Sequence, residues 1–285
     1  MLLHIKLTSN VPGNYILLDE TSHPLKTQSG SIGGLVNANP LPIKGERGIF
    51  DVHQISKFIE VPASRNIPKV RIISIEQTTN FGGGAVWPLI NLKEIYQLAV
   101  SNSVAVHLDG ARLFNAQIAS GISVKEYCKY ADSVFIDFTK GLGCPFGAVL
   151  LGSKEFIEKC WYYKFQLGGG MHQVGMLAAA CIYSLENKIE RLKEDHMKAK
   201  LLAELLSQNP HILINEKLYE TNIIYFTLSE KAKISLDQLI IKLAENGIRM
   251  LQVQTSIRAI THMNITFDDI YHTNSIITQI VNREL

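Results

Sequence analysis

At 285 residues, with 46% hydrophobic and 19% charged residues, the chain has a globular composition and enough material for one large domain and one smaller one. A net charge of +2 provides no field to gather nucleic acid or an anionic membrane surface, and no apolar run reaches the roughly 18–20 residues that span a bilayer. Met1-Leu2-Leu3-His4-Ile5-Lys6-Leu7 is too short and too interrupted for a signal peptide. The four cysteines (Cys128, Cys144, Cys160, Cys181) form no CxxC pair and therefore read as reduced thiols of a cytosolic protein.

Along the chain, Leu2 to Leu7 reads as helix-like and is followed by a turn at Pro12-Gly13-Asn14. No strand and no glycine-rich phosphate cradle come before it, so the reading starts in mid-domain. Pro40, Pro42, Gly45 and Gly48 predict a loop. Strands are expected at Val70–Ile75, Val104–Leu108, Val134–Phe138 and Ala148–Gly152, the last pairing antiparallel or as a neighbour, with a helix over Leu89–Ser101 after Pro88. Nearly continuous apolar strands separated by helices predict an α/β fold with a mainly parallel sheet over residues 1–185. A long amphipathic helix from Ile189 to Ser207 then opens a smaller α+β domain over residues 186–285. Its expected strands are Ile212–Ile214, Ile223–Thr227 and Ile257–Ile260, with a helix from Ser235 to Asn246.

Two segments carry chemistry. His107-Leu108-Asp109-Gly110-Ala111-Arg112 and Thr139-Lys140-Gly141-Leu142-Gly143 each follow an apolar strand, and ligands of open α/β sheets bind just past the carboxyl ends of strands. A carboxylate such as Asp109 at such an end needs a cationic partner, for which a protonated pyridine nitrogen is suited. A desolvated lysine at position 140 would condense with an aldehyde, and the glycines beside it let a flat ligand approach the backbone. An ordinary buried ion pair between Asp109 and Lys140 is the competing reading of these residues.

The stretch Val106-His107-Leu108-Asp109-Gly110-Ala111-Arg112-Leu113-Phe114-Asn115-Ala116 resembles the signature of the low-specificity threonine aldolases. Phe138-Thr139-Lys140-Gly141-Leu142-Gly143-Cys144-Pro145-Phe146-Gly147 resembles a second segment of that family, and Gly168-Gly169-Gly170-Met171-His172-Gln173 follows at a matching distance. Glu76-Gln77-Thr78-Thr79-Asn80, running through Gly83-Gly84 to Pro88-Leu89, is similar to a further one, and weaker similarity reaches Thr261-His262.

The resemblance implies a fold-type-I large domain binding pyridoxal 5'-phosphate. Lys140 matches the lysine that holds the cofactor as a Schiff base, and Asp109 the carboxylate at its pyridine nitrogen. Arg112 matches an arginine near the ring oxygen and the substrate carboxylate, His23 a histidine stacked on the ring, and Arg258 a second arginine that clamps the substrate carboxylate. Thr79 stands beside the substrate hydroxyl, where the family usually has a histidine; His172 replaces an arginine, Phe165 a common basic residue and Gln28 a glutamate. In the family a further segment, with a Ser-Gly-Thr loop that holds the cofactor phosphate, precedes the position matched by Met1, so an N-terminally truncated domain is expected.

The implied reaction is retro-aldol cleavage of a β-hydroxy amino acid, threonine or allo-threonine giving glycine and acetaldehyde, in a homo-oligomer such as the family's tetramer. No nucleic-acid or membrane partner and no metal is expected. Two alternatives stay open here: a non-catalytic descendant that binds a full-length homologue, and another pyridoxal-phosphate-dependent amino-acid lyase.

Overall fold

Ile16, Leu17 and Leu18 are fully apolar, and Tyr15–Asp19 forms β1, buried along nearly its whole length. The computed structural model describes residues 13–61 and 65–282, so Leu2–Leu7 lies outside the described residues. These divide into two compact units, one up to Ile189 and one from Glu190 onward.

In the first unit, β1 is joined by β2 (Asn39–Ile43), β3 (Val70–Glu76), β4 (Ala105–Gly110), β5 (Ser133–Asp137) and β6 (Ala148–Gly152). The sheet order is β2-β1-β3-β4-β5-β6. All neighbours are parallel except β5 and β6, which run antiparallel. The expected mainly parallel sheet is therefore present, and it has two strands the sequence reading did not foresee. Leu17 was hidden by the turn residues around it. Pro40 and Pro42, read as loop markers, sit in β2 opposite Ile16 and Leu18. Proline lacks a ladder donor, and β2 is an edge strand, where one side of the backbone needs no strand partner.

Alternation along each strand sorts the side chains onto two faces. Leu17, Ile73, Ile75, Val106, Leu108, Val134 and Ile136 face one way. On that face they pack with Phe50 and Trp87 and with Leu92 and Ile95 of a helix over Leu89–Ser101. Phe50 and Trp87 meet edge to face, ring centroids 4.9 Å apart. On the opposite face, Ile16, Leu18 and Ile72 form a smaller apolar cluster with Ile32 and Val36. From the middle of β3 and β4 onward, and at both ends of β5, this second face is polar, carrying Ser74 and Glu76, His107 and Asp109, and Ser133 and Asp137.

Numbering the first unit's helices in chain order, α1 is His23–Thr27, α2 Ser31–Val36, α3 Val52–Ile59, α4 Leu89–Ser101, α5 Leu113–Ser120, α6 Val124–Cys128, α7 Lys154–Gln166 and α8 Gly175–Asn187. Asp51 and Gln54 close α3 with a reciprocal capping box.

The second unit pairs β7 (Ile212–Leu213), β8 (Ile223–Leu228), β10 (Ser256–Ile260) and β9 (Leu251–Val253) in the order β7-β8-β10-β9. Its helices are α9 (Leu192–Ser207), α10 (Leu236–Glu245) and α11 (Phe267–Asn282). Ser235 and Gln238 form a capping box at the start of α10. The long helix begins at Leu192 rather than Ile189, and β9 and α11 were not foreseen. Among the described residues no helix is long and apolar enough to cross a membrane.

Gly110 ends β4 where β5 crowds it. A Cβ there would lie 2.5 Å from the Phe135 carbonyl oxygen and 3.1 Å from Leu113 Cβ. Both obstacles are held in place, one of them backbone, so Gly110→Ala is expected to cost about 1–3 kcal/mol of stability in chemical denaturation.

Candidate active site

The order β2-β1-β3 makes the chain leave β1 on one side and return on the other, so a topological switch point lies between the carboxyl ends of β1 and β3. His23 opens α1 just after β1, Glu76 ends β3, Asp109 lies next to last in β4 with Arg112 three residues after it, and Lys140 follows β5. Parallel pairing thus brings four of the six sequence-predicted residues, His23, Asp109, Arg112 and Lys140, to one edge of one sheet. Arg258 belongs to the second unit, on β10 between β8 and β9.

The loop after β3 is pinned to β4. Gln77 N–H donates to the Asp109 carbonyl at 2.8 Å, Arg112 N–H donates to the Gln77 carbonyl at 3.2 Å, and Trp87 N–H donates to Gln77 Oε1 at 3.1 Å. Arg112 Nη1 reaches Asn80 Oδ1 at 3.5 Å. Asp109 Oδ1 accepts from Ala111 N–H at 3.1 Å, and among the described residues its other carboxylate oxygen has no hydrogen-bond partner.

Lys140 departs from the expectation of a desolvated amine. Its side chain is 35% exposed, and Nζ lies 3.1 Å from Asp137 Oδ2. Asp137 also accepts from Thr139 N–H at 2.7 Å and Thr139 Oγ1 at 2.6 Å. Burial works against the Asp137 charge, yet the Thr139 donors and the Lys140 ammonium hold its carboxyl below the usual carboxylate range.

Thr79 is not open to a ligand. It is 1% exposed, and its hydroxyl accepts from Ala85 N–H at 3.2 Å. Gly48 and Gly82 close over it: a Cβ on Gly82 would lie 2.4 Å from Thr79 Oγ1 and 1.9 Å from the Arg47 carbonyl oxygen.

Two groups at the site had been given no role from sequence. Asp137 is the lysine's partner. Glu76 is paired in register with Asp109, and its Oε2 accepts from Asn80 N–H at 3.2 Å. Burial first, and then the Asp109 carboxylate, push the Glu76 carboxyl up to about 8 against the opposing pull of the Asn80 N–H, Arg112 and Lys140. The signal was legible as polar residues in alternate positions, Ser74 and Glu76 on β3 and His107 and Asp109 on β4, inside otherwise apolar strands.

Next to this edge a cavity of about 550 Å³ opens on the polar face, lined by Pro24, Gln28, His107, Asp109, Phe135 and Lys164 among others. That is the size range of a small-molecule or cofactor site. His107 Nδ1 sits 2.7 Å from Ser133 Oγ and is buried beneath the cavity.

Sheet, switch point and cavity together define an α/β domain with a small-molecule site, lined by Asp109 at the sheet edge that also carries Arg112 and Lys140. The sequence profile of the β-eliminating lyases matches residues 3–229. Low-specificity L-threonine aldolase 1 of Arabidopsis thaliana is 36% identical over 98% of this chain and 78% of its own length, and the low specificity L-threonine aldolase of Escherichia coli K12 is 31% identical over 89% and 73%. The chain belongs to the β-eliminating lyase family, in its threonine aldolase group. A threonine aldolase structure from Leishmania major, at 17% identity, shares the fold with a TM-score of 0.82 over 98% of this chain and 81% of that one.

Because the Asp137 carboxyl titrates lower in the folded chain than in the unfolded one, its stabilisation is present above the usual carboxylate value of about 4 and is lost as pH falls below it. Asp137→Asn is therefore expected to cost about 1–2 kcal/mol at pH 7 and progressively less toward pH 3, read from thermal melts across that range.

Proposed function

We propose that the chain cleaves a β-hydroxy-α-amino acid of the threonine type to glycine and an aldehyde, using pyridoxal 5'-phosphate, the cofactor of this family. The observation that carries the reading is the convergence of His23, Asp109, Arg112 and Lys140 at the carboxyl ends of β1, β4 and β5.

These residues fit the cofactor. Among the described residues Asp109 has a carboxylate oxygen without a donor, at the rim of a cavity of suitable size, as a pyridinium partner requires. Lys140, half-exposed and tethered by Asp137, would hold the cofactor aldehyde through its amine. His23 would lie against the ring, and Arg112, anchored through its backbone to Gln77, would present a guanidinium to a carboxylate or ring oxygen. When bound, the pyridine ring supplies an electron sink for breaking the Cα–Cβ bond. Asp109 keeps that ring nitrogen protonated, and Asp137 orients the lysine amine.

A second reading, binding without turnover, is favoured by Thr79. A buried hydroxyl already engaged with Ala85 N–H cannot take a proton from a substrate hydroxyl near neutral pH.

Assembly of copies belongs to the same proposal. Around α7 and α8 large apolar side chains stand in solvent, with Tyr162 69%, Phe165 62% and Met176 85% exposed, and Trp161 and Ile182 beside them in sequence are also exposed. Packing against another copy would cover these side chains.

Two experiments test the proposal. Mixing the purified chain with pyridoxal 5'-phosphate is expected to give an absorbance band that Lys140→Ala abolishes, with acetaldehyde released from threonine or allo-threonine by the unaltered chain. No Lys140-dependent band sinks the cofactor assignment, and a band without aldehyde release favours the second reading. In light scattering the unaltered chain is expected to be a dimer or larger, and Tyr162→Glu with Phe165→Glu to be monomeric with an unchanged circular dichroism spectrum.

A further inference from the structure

Glu76 and Asp109 occupy matched positions on neighbouring parallel strands, so their side chains leave the same face of the sheet side by side. Each is held by one loop N–H, Asn80 to Glu76 Oε2 and Ala111 to Asp109 Oδ1. Asp137 ends β5 on the same face, two residues beyond Phe135, the register partner of Asp109, and adds a third carboxyl group to this end of the sheet. Among the described residues the cations acting on Glu76 are Arg112 and Lys140, and Lys140 is already committed to Asp137. Three carboxylates against two cations would leave an excess negative charge on a partly buried strand end. Two neighbouring carboxyls in such a place share one proton instead of both ionising.

We propose that Glu76 is a positioning residue: it holds the shared proton at neutral pH and leaves Asp109 as the single ionised member of the pair, facing the cavity. Glu76 is the member that keeps the proton because burial, ahead of the Asp109 carboxylate, disfavours its charge. The groups acting on it are Asp109 on β4, Arg112 beyond β4 and Lys140 beyond β5; the first disfavours its charge and the other two favour it. With the proton on Glu76, the remaining carboxylates and the two cations balance, and Asp109 faces the cavity without a second negative charge beside it. The use of that charge on a pyridine nitrogen rests on the function proposed above; the protonation of Glu76 does not.

The sign of the pH dependence follows. The Glu76 carboxyl titrates at about 8 in the folded chain against an ordinary value of 4.5. The stability tied to its neutral form is fully present below about 4.5 and is lost as pH rises from there to 8. Glutamine keeps the shape and never ionises, so Glu76→Gln escapes that loss.

The test is thermal and denaturant unfolding of the full chain, without added cofactor, for the unaltered protein and Glu76→Gln from pH 5 to pH 9. The unfolding constant of the unaltered chain relative to the variant is expected to rise about tenfold per pH unit up to pH 8 and to level off above it. A constant ratio across the range overturns the proposal. Should the variant fail to fold, infrared titration of the unaltered chain decides: a protonated-carboxyl band present at pH 7 and gone by pH 10 supports it, and no such band at pH 7 overturns it. Both readouts are independent of pyridoxal 5'-phosphate, so the absorbance test of Lys140 fails or succeeds separately.

Discussion

In-register parallel pairing of β1, β3, β4 and β5 is the constraint on which the rest of the first unit depends. Parallel strands carry their carboxyl ends to one edge, and matched residues then leave the same face. Without it, residues far apart in sequence such as His23, Glu76, Asp109 and Lys140 would have no reason to meet. The backbone bonds from Gln77 N–H to the Asp109 carbonyl and from Arg112 N–H to the Gln77 carbonyl extend the pairing past the last ladder bond, so the loop after β3 inherits the register of the strands.

The same pairing creates the electrostatic problem the site has to solve. A sheet edge that collects functional groups also collects carboxyls, and Glu76, Asp109 and Asp137 arrive together on one face. Each is dealt with differently. Asp137 is surrounded by Thr139 donors and the Lys140 ammonium, which keep it ionised despite burial. Glu76, more deeply desolvated and beside another carboxylate, is driven the other way. Asp109 sits between them with one oxygen satisfied and the other facing the cavity. Three residues of one chemical class thus take three roles from their surroundings alone.

Close backbone approach is the second recurring device. Gly110 lets β5 pass, and Gly82 lies under the Arg47 carbonyl and closes over Thr79. Both glycines sit where a Cβ would collide with a backbone oxygen. They also explain why Thr79 is packed away, although its place in the sequence had pointed to the substrate.

From sequence alone, apolar runs broken by helices established a parallel α/β sheet, because strands covered on both faces must be apolar throughout. The Asp-Gly-Ala-Arg and Thr-Lys-Gly segments pointed to the carboxyl-end edge of that sheet, because a charged side chain at the end of such a run is costly without a partner. Only the tertiary structure decided that Pro40 and Pro42 lie in a strand, since an edge position forgives a missing donor and an isolated stretch of sequence does not reveal the edge. It alone decided that Lys140 is half-exposed and tied to Asp137 and that Thr79 is buried. It also gave Asp109 a carboxyl neighbour in Glu76, because which residues stand side by side across strands depends on register, and register is a property of the assembled sheet.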